Sequence, residues 1–177
     1  MINKIIFFML FVTVNCYQPV SELNIPQYLG RWYQVYQDLV DYTFQGRGSC
    51  ITADYGMFNE STVSVLNSEI STKGKLQQIR GIAYYDEGNT GGELTVKLAN
   101  LSPAPYWVIE LGPIVDDMYD YTIISDDKKL SLFVLARDVD KFLKYYNNDV
   151  LKSLENFGFD KFYNEPILSN QTECSYV

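Results

Sequence analysis

Between residues 31 and 137 the chain repeats one kind of unit eight times: a short run rich in Val, Ile, Leu, Tyr and Thr, ended by Gly, Asn, Asp or Ser. Runs of this make-up pack well on a pleated surface, and breaks of this make-up turn the chain. They predict strands at 31–37, 49–58, 62–68, 76–85, 93–99, 106–111, 121–125 and 130–137. The breaks Asn59-Glu60-Ser61, Thr72-Lys73-Gly74, Asn89-Thr90-Gly91-Gly92 and Asp126-Asp127-Lys128-Lys129 have hairpin length, which predicts an antiparallel up-and-down meander. From Asp138 the period changes. Phe142, Leu143, Tyr146, Val150, Leu151, Leu154 and Phe157 recur three or four apart, with Gly158 just beyond, which predicts one amphipathic helix packed outside the sheet. Eight strands and one covering helix suggest an all-β, eight-stranded antiparallel barrel. Closure removes both sheet edges, and a barrel of that size encloses room for one small ligand.

Two strands show which face turns inward. In Leu94-Thr95-Val96-Lys97-Leu98 the polar residues alternate with Leu94, Val96 and Leu98, which should point into the barrel. The run 130–137 is apolar on both faces, as expected of a strand with a cavity on one side and a helix on the other. No repeat, linker or low-complexity tract interrupts the chain, so one domain is expected over 17–177.

Residues 1–16 have a different character. Lys4 precedes an apolar run from Ile5 to Val14 that is too short for a stable bilayer span, which predicts a secretory signal peptide. Cleavage is placed after Cys16, with the Asn15–Cys16 bond as the alternative. An N-terminal anchor or buried helix is a competing reading, and a bacterial lipobox ending in Cys16 is poorly matched by Thr13-Val14-Asn15. Removing the signal leaves Cys50 and Cys174, an even count that an oxidising compartment should close into one bridge. The triplets beginning at Asn59, Asn100 and Asn170 are candidate glycosylation sites, with Pro103 counting against Asn100. A secreted, extracellular location follows from these features.

Composition narrows the chemistry. The chain has no histidine, so the serine and cysteine triads, histidine zinc sites and a histidine-ligated haem are excluded. Fourteen basic against 22 acidic residues give a net charge of −8, which repels a nucleic-acid backbone. The acid pairs Asp116-Asp117 and Asp126-Asp127, together with Glu173, match neither a calcium loop nor a glycosidase spacing. No metal or cofactor is expected.

Gly30-Arg31-Trp32, followed by Tyr33-Gln34-Val35-Tyr36, resembles the first-strand G-x-W signature of lipocalins. The segment from Cys50 to Tyr55, then Val65-Leu66-Asn67, Ala104-Pro105-Tyr106-Trp107 and Leu135-Ala136-Arg137, are similar in order and spacing to the apolipoprotein D group, which includes the bacterial outer-membrane lipocalins. The resemblance covers nearly the whole chain after residue 16. One motif departs from the pattern: the acid before the seventh strand has two registers, Asp116-Asp117-Met118 or Tyr119-Asp120-Tyr121. The first is preferred, with Asp117 as the matching acid and Tyr121 opening the strand. Gly30, Trp32 and Arg137 then form a plug at the narrow end, with the guanidinium across the indole face.

The resemblance implies a calyx open at one end. Tyr55, Asn67 and Phe133 match inward family positions on strands two, three and eight, Phe133 replacing a tryptophan. Val65 and Leu135 share their faces, Val96 and Leu98 come from alternation, and Tyr106 or Trp107 should stand at the mouth. The implied function is a non-enzymatic carrier for one small hydrophobic molecule, such as a fatty acid, sterol, retinoid, carotenoid or bilin, for transport or sequestration. The alternatives are an enzyme or isomerase acting on a lipid in the same barrel, or an interaction protein without a guest whose mouth aromatics meet a membrane or receptor.

Overall fold

The computed structural model describes residues 17–39, 48–59 and 61–176. The expected signal peptide at 1–16 lies outside the described residues. Each of the eight expected runs is a strand: β1 (Gly30–Gln37), β2 (Ser49–Asn59), β3 (Thr62–Ile70), β4 (Leu76–Tyr84), β5 (Glu93–Leu98), β6 (Ala104–Leu111), β9 (Tyr121–Ser125) and β10 (Leu132–Ala136). Two small additions complete the set. β7 (Ile114–Val115) and β8 (Met118–Tyr119) form a separate two-residue ribbon, and β11 (Ile167–Leu168) pairs outside β1. The strands run antiparallel from neighbour to neighbour, and β10 returns to β1 through Tyr33↔Ala136 and Gln37↔Phe133. The sheet is therefore a closed eight-stranded barrel with one strand outside it.

Period-two alternation sorts the side chains into two cores. Inside lie Trp32, Ala53, Tyr55, Val63, Val65, Ala83, Leu94, Val108, Ile124 and Leu135. Outside, Val35, Ile109, Ile123, Leu132, Val134 and Ala136 pack against Phe142, Val150, Leu154 and Phe157. The doubly apolar last strand is thus accounted for: Leu135 faces in, while Leu132, Val134 and Ala136 face the helices. A register shift between Gln34 and Tyr36 lets two consecutive β1 residues, Val35 and Tyr36, join the outer core.

The helical segment differs from the expected single helix. It divides into α2 (Val139–Tyr145) and α3 (Asn147–Phe157), which meet at Tyr146, after the short α1 (Ile25–Tyr28) at the head of the barrel. Tyr146 keeps the backbone bond to Phe142 but sits at φ −115°, ψ −20°. Asn147 next to it accepts the Tyr36 hydroxyl at 2.7 Å, which anchors the break to β1. The Asp138 side chain caps α2 through the Lys141 N–H, and Gly158, at φ 89°, ends α3 with its N–H on Leu154 and Glu155. The last barrel strand is shorter than expected because the Asp126 carboxylate accepts from Lys128 N, Leu130 N and Ser131 Oγ, holding those residues in a turn.

The expected bridge between Cys50 and Cys174 is present and spans 124 positions. The tail it carries is also fixed by polar bonds: Gln171 Nε2 donates to Gln34 O and Ile51 O at 2.9 and 2.7 Å, and Cys50 N donates to Asn170 O.

Candidate functional site

The narrow end is closed by charge and aromatic packing. Arg137 lies 3.6 Å from the Trp32 ring centroid and donates to five carbonyls, those of Arg31, Leu29, Tyr28, Gln27 and Tyr119. Four of these belong to α1 and the residues around it, so the guanidinium caps the helix end that enters the barrel. Burial pulls Arg137 down to about 10. Trp32 is wholly buried, and its Nε1 donates to Tyr28 O. Gly30 runs at φ +93°, where a Cβ would stand 3.3 Å from Arg137 Nη1, so the glycine serves both the backbone turn and the close approach.

Above this plug three tyrosines form the floor of a cavity. Tyr106 Oη stands 2.9 Å from Tyr28 Oη and 3.0 Å from Tyr55 Oη, and Tyr28 Oη donates to Thr122 Oγ1. The Tyr28 and Tyr55 rings stack at 5.7 Å. Burial raises all three phenols, Tyr55 to about 12, so the floor is neutral.

The cavity over that floor has a volume of about 430 Å³. Every wall residue expected from the sequence lines it: Tyr55, Val65, Asn67, Val96, Leu98, Tyr106, Phe133 and Leu135. One expected position changes. Tyr106 faces inward but joins the floor, while Trp107 points outward against Tyr17, so neither forms a rim at the mouth. Gln34, Thr52, Ser125 and Ser131 also line the cavity and were not expected. Gln34 is readable in hindsight as the inward neighbour of Trp32 at spacing two, while the serines required the turn geometry.

Polar character gathers toward the open end. Val63, Val65, Asn67 and Glu69 share one face of β3, and Glu69 pairs in register with Gln77 of β4. A second space of about 280 Å³ adjoins the cavity through the shared residues Ile51, Asn67, Leu98 and Leu101, and is lined by Ser68, Glu69, Gln77 and Gln78 as well. Asn67 Oδ1 is shut off from solvent with no hydrogen-bond donor. Burial raises the Glu69 carboxyl above its ordinary value.

The remaining expected residues fall outside the calyx. Asp117 sits at φ 62° in the β7–β8 turn and accepts from Gln27 Nε2, whereas the buried acid beside the plug is Asp120, ion-paired to Lys141 at 2.6 Å with its backbone carbonyl on Arg137 N. Tyr121 packs on Phe142 and Tyr146 outside the barrel and donates to Glu110. Asn59, Asn100 and Asn170 are all exposed, and the side-chain oxygens of Asn59 and Asn170 accept from the hydroxyl two residues on. Among the described residues no helix is long and apolar enough to cross a membrane.

Known proteins share this architecture. A family model described as a lipocalin-like domain matches residues 23–163. Outer membrane lipoprotein Blc of Vibrio cholerae is 33% identical over 135 residues, which are 72% of this chain and 76% of that protein. Apolipoprotein D of Mus musculus is 34% identical over 93 residues, 51% of this chain and 48% of that protein, so this match spans about half the relative's length. Among solved structures, apocrustacyanin C1 superposes with a TM-score of 0.65 at 20% identity, covering 85% of this chain and 81% of that one, a likeness of fold.

Proposed function

The chain belongs to the lipocalin family, whose members bind small hydrophobic ligands, and on that premise we propose that it is a secreted carrier holding one such molecule in its calyx for transport or sequestration. The observation that carries the reading is the cavity of about 430 Å³, walled by Val65, Val96, Leu98, Phe133 and Leu135 above a floor of self-bonded tyrosines. Such walls reward a guest with apolar surface. Burying roughly 300 Å² of it at about 25 cal/mol/Å² contributes roughly 7 to 8 kcal/mol before entropy costs, or about micromolar affinity.

The disulfide fits an extracellular or periplasmic compartment, which supports secretion. Glycans on Asn59 and Asn170 are part of the proposal. A barrel enzyme with a thiol nucleophile is disfavoured because both cysteines among the described residues are bridged, and the chain has no histidine to serve as base. The test is native mass spectrometry of the protein secreted by eukaryotic cells, before and after organic extraction. A removable small-molecule mass is the expected result. A protein that is empty as secreted and takes up none of the fatty acids, sterols, retinoids and bilins offered to it would overturn the carrier reading.

A further inference from the structure

The walls of the calyx are mostly apolar, its polar lining residues Gln34, Thr52, Asn67, Ser125 and Ser131 are uncharged, and the charged groups within reach of a guest are unevenly chosen. Among the described residues lining the cavity and the adjoining space, none is Lys or Arg, and the chain has no histidine. The one carboxyl is Glu69, on the inward face of β3, two residues above Asn67 and opposite Gln77. Two positions along a strand place Glu69 and Asn67 about 7 Å apart, within the reach of one head group. Glu69 makes no ion pair among the described residues, and Asn67 Oδ1 has no donor. Lys73 and Lys75, in the turn beyond β3, are exposed and line neither space. The mouth thus offers one negative charge among neutral amides and a hydroxyl.

A fatty-acid carboxylate entering this mouth meets a like charge and finds no counter-ion among the described residues, and a charge taken from water without a partner is strongly disfavoured. An ammonium group reverses both terms: it gives Glu69 its missing partner and Asn67 its missing donor, through charge-assisted bonds. The distance from Glu69 down to Val65 on the same face is about 13 Å, enough for an extended alkyl tail above the tyrosine floor. We propose that the calyx selects apolar molecules ending in a cationic amine, held at the mouth by Glu69 and Asn67, over fatty acids of the same chain length. This inference rests on the carrier reading and names its ligand class.

Dodecylamine, dodecanol and lauric acid isolate the head group at constant tail. Each is titrated against the full secreted protein carrying the neutral fluorescent probe N-phenyl-1-naphthylamine, after organic extraction. The amine should displace the probe at a concentration at least about tenfold below the acid, the ratio expected of one charge-assisted bond. Glu69→Gln should weaken the amine about tenfold and leave dodecanol within about twofold, and Glu69→Lys should reverse the order of amine and acid. Circular dichroism melts establish that both variants are folded. Acid binding as tightly as amine to the unaltered protein, or an amine-to-acid ratio that Glu69→Gln does not move, overturns the inference while leaving the carrier reading intact. Failure of all three molecules to displace a bound probe overturns the inference, and failure of the probe itself to bind removes the carrier reading with it.

Discussion

Replacing Arg137 with alanine separates the closed end of the barrel from the cavity above it. The guanidinium makes two short bonds, to Leu29 O and Arg31 O at 2.7 Å, three longer ones, and a stacking contact with Trp32. Bonds from a charged donor are worth about 1.5 to 3 kcal/mol each, and the cation–π contact adds up to about 2. Against this stands the cost of burying the charge, visible in the lowering of Arg137 to about 10. The carbonyls left behind lose their donor within a tight aromatic plug, so a net loss of about 3 to 5 kcal/mol is expected. Arg137→Lys keeps the charge but not the planar face or the five-way fork, and should lose about 2. Urea unfolding followed by tryptophan fluorescence reads both values by linear extrapolation. Probe binding, measured at low denaturant where each variant is folded, should change less than about threefold, since Arg137 does not line the cavity. An alanine variant within about 1 kcal/mol of the parent, or one of unchanged stability that no longer binds, would refute the division between plug and pocket.

Three further outcomes follow from the same geometry. Tyr106→Phe removes the hydroxyl that joins Tyr28 to Tyr55, leaves a buried phenol without its partner, and should lower stability by about 1 to 3 kcal/mol in thermal or urea melts. Tyr55 is raised from its ordinary value near 10 to about 12, so the neutral phenol is the form the fold favours. The contribution of Tyr55 to stability should therefore be constant below pH 10 and fall as pH rises toward 12, with phenolate absorbance showing a late-titrating class; a spectrophotometric titration in which every tyrosine ionises near pH 10 would contradict the buried floor. Phe133→Trp fills part of the cavity wall and adds an indole donor, and should change the ratio of affinities for a bulky and a slender ligand about tenfold while leaving the melting temperature within a few degrees.

The barrel was legible because each strand carries its own turn signal and each hairpin is local. The wall was legible for a related reason: alternation fixes faces, so Val96 and Leu98 followed from Lys97 lying between them, and the family likeness added Tyr55, Asn67 and Phe133. That same alternation runs from Val65 through Asn67 to Glu69, but the run predicted as strand ends at 68, one residue short of the carboxyl at the mouth, whereas β3 continues to Ile70. The sequence leaves open which of Tyr106 and Trp107 faces the cavity, and alternation says nothing about depth along the axis, so the place of Tyr106 in the floor is not legible. The Asp120 and Asp117 registers could not be separated locally either. Two adjacent aspartates in left-handed geometry make a hairpin turn between Ile114-Val115 and Met118-Tyr119, and this turn sends Asp120 to the plug. The break at Tyr146 and the pairing of β11 depend on β1, more than a hundred residues earlier, and no local pattern encodes them.

The contacts of Arg137 also bear on the order in which the molecule assembles. Four of them join carbonyls that precede it by 106 to 110 positions, and the strand it follows is the one that closes the barrel against β1. A chain emerging from its N-terminus can zip hairpin after hairpin, each with short loops to close, while the first strand waits with an unpaired edge. Only when residue 137 arrives do the last seam and the base form together. Barrel closure is then a late, long-range event, and the interval before it is when the nascent chain is most open to edge pairing with a neighbour.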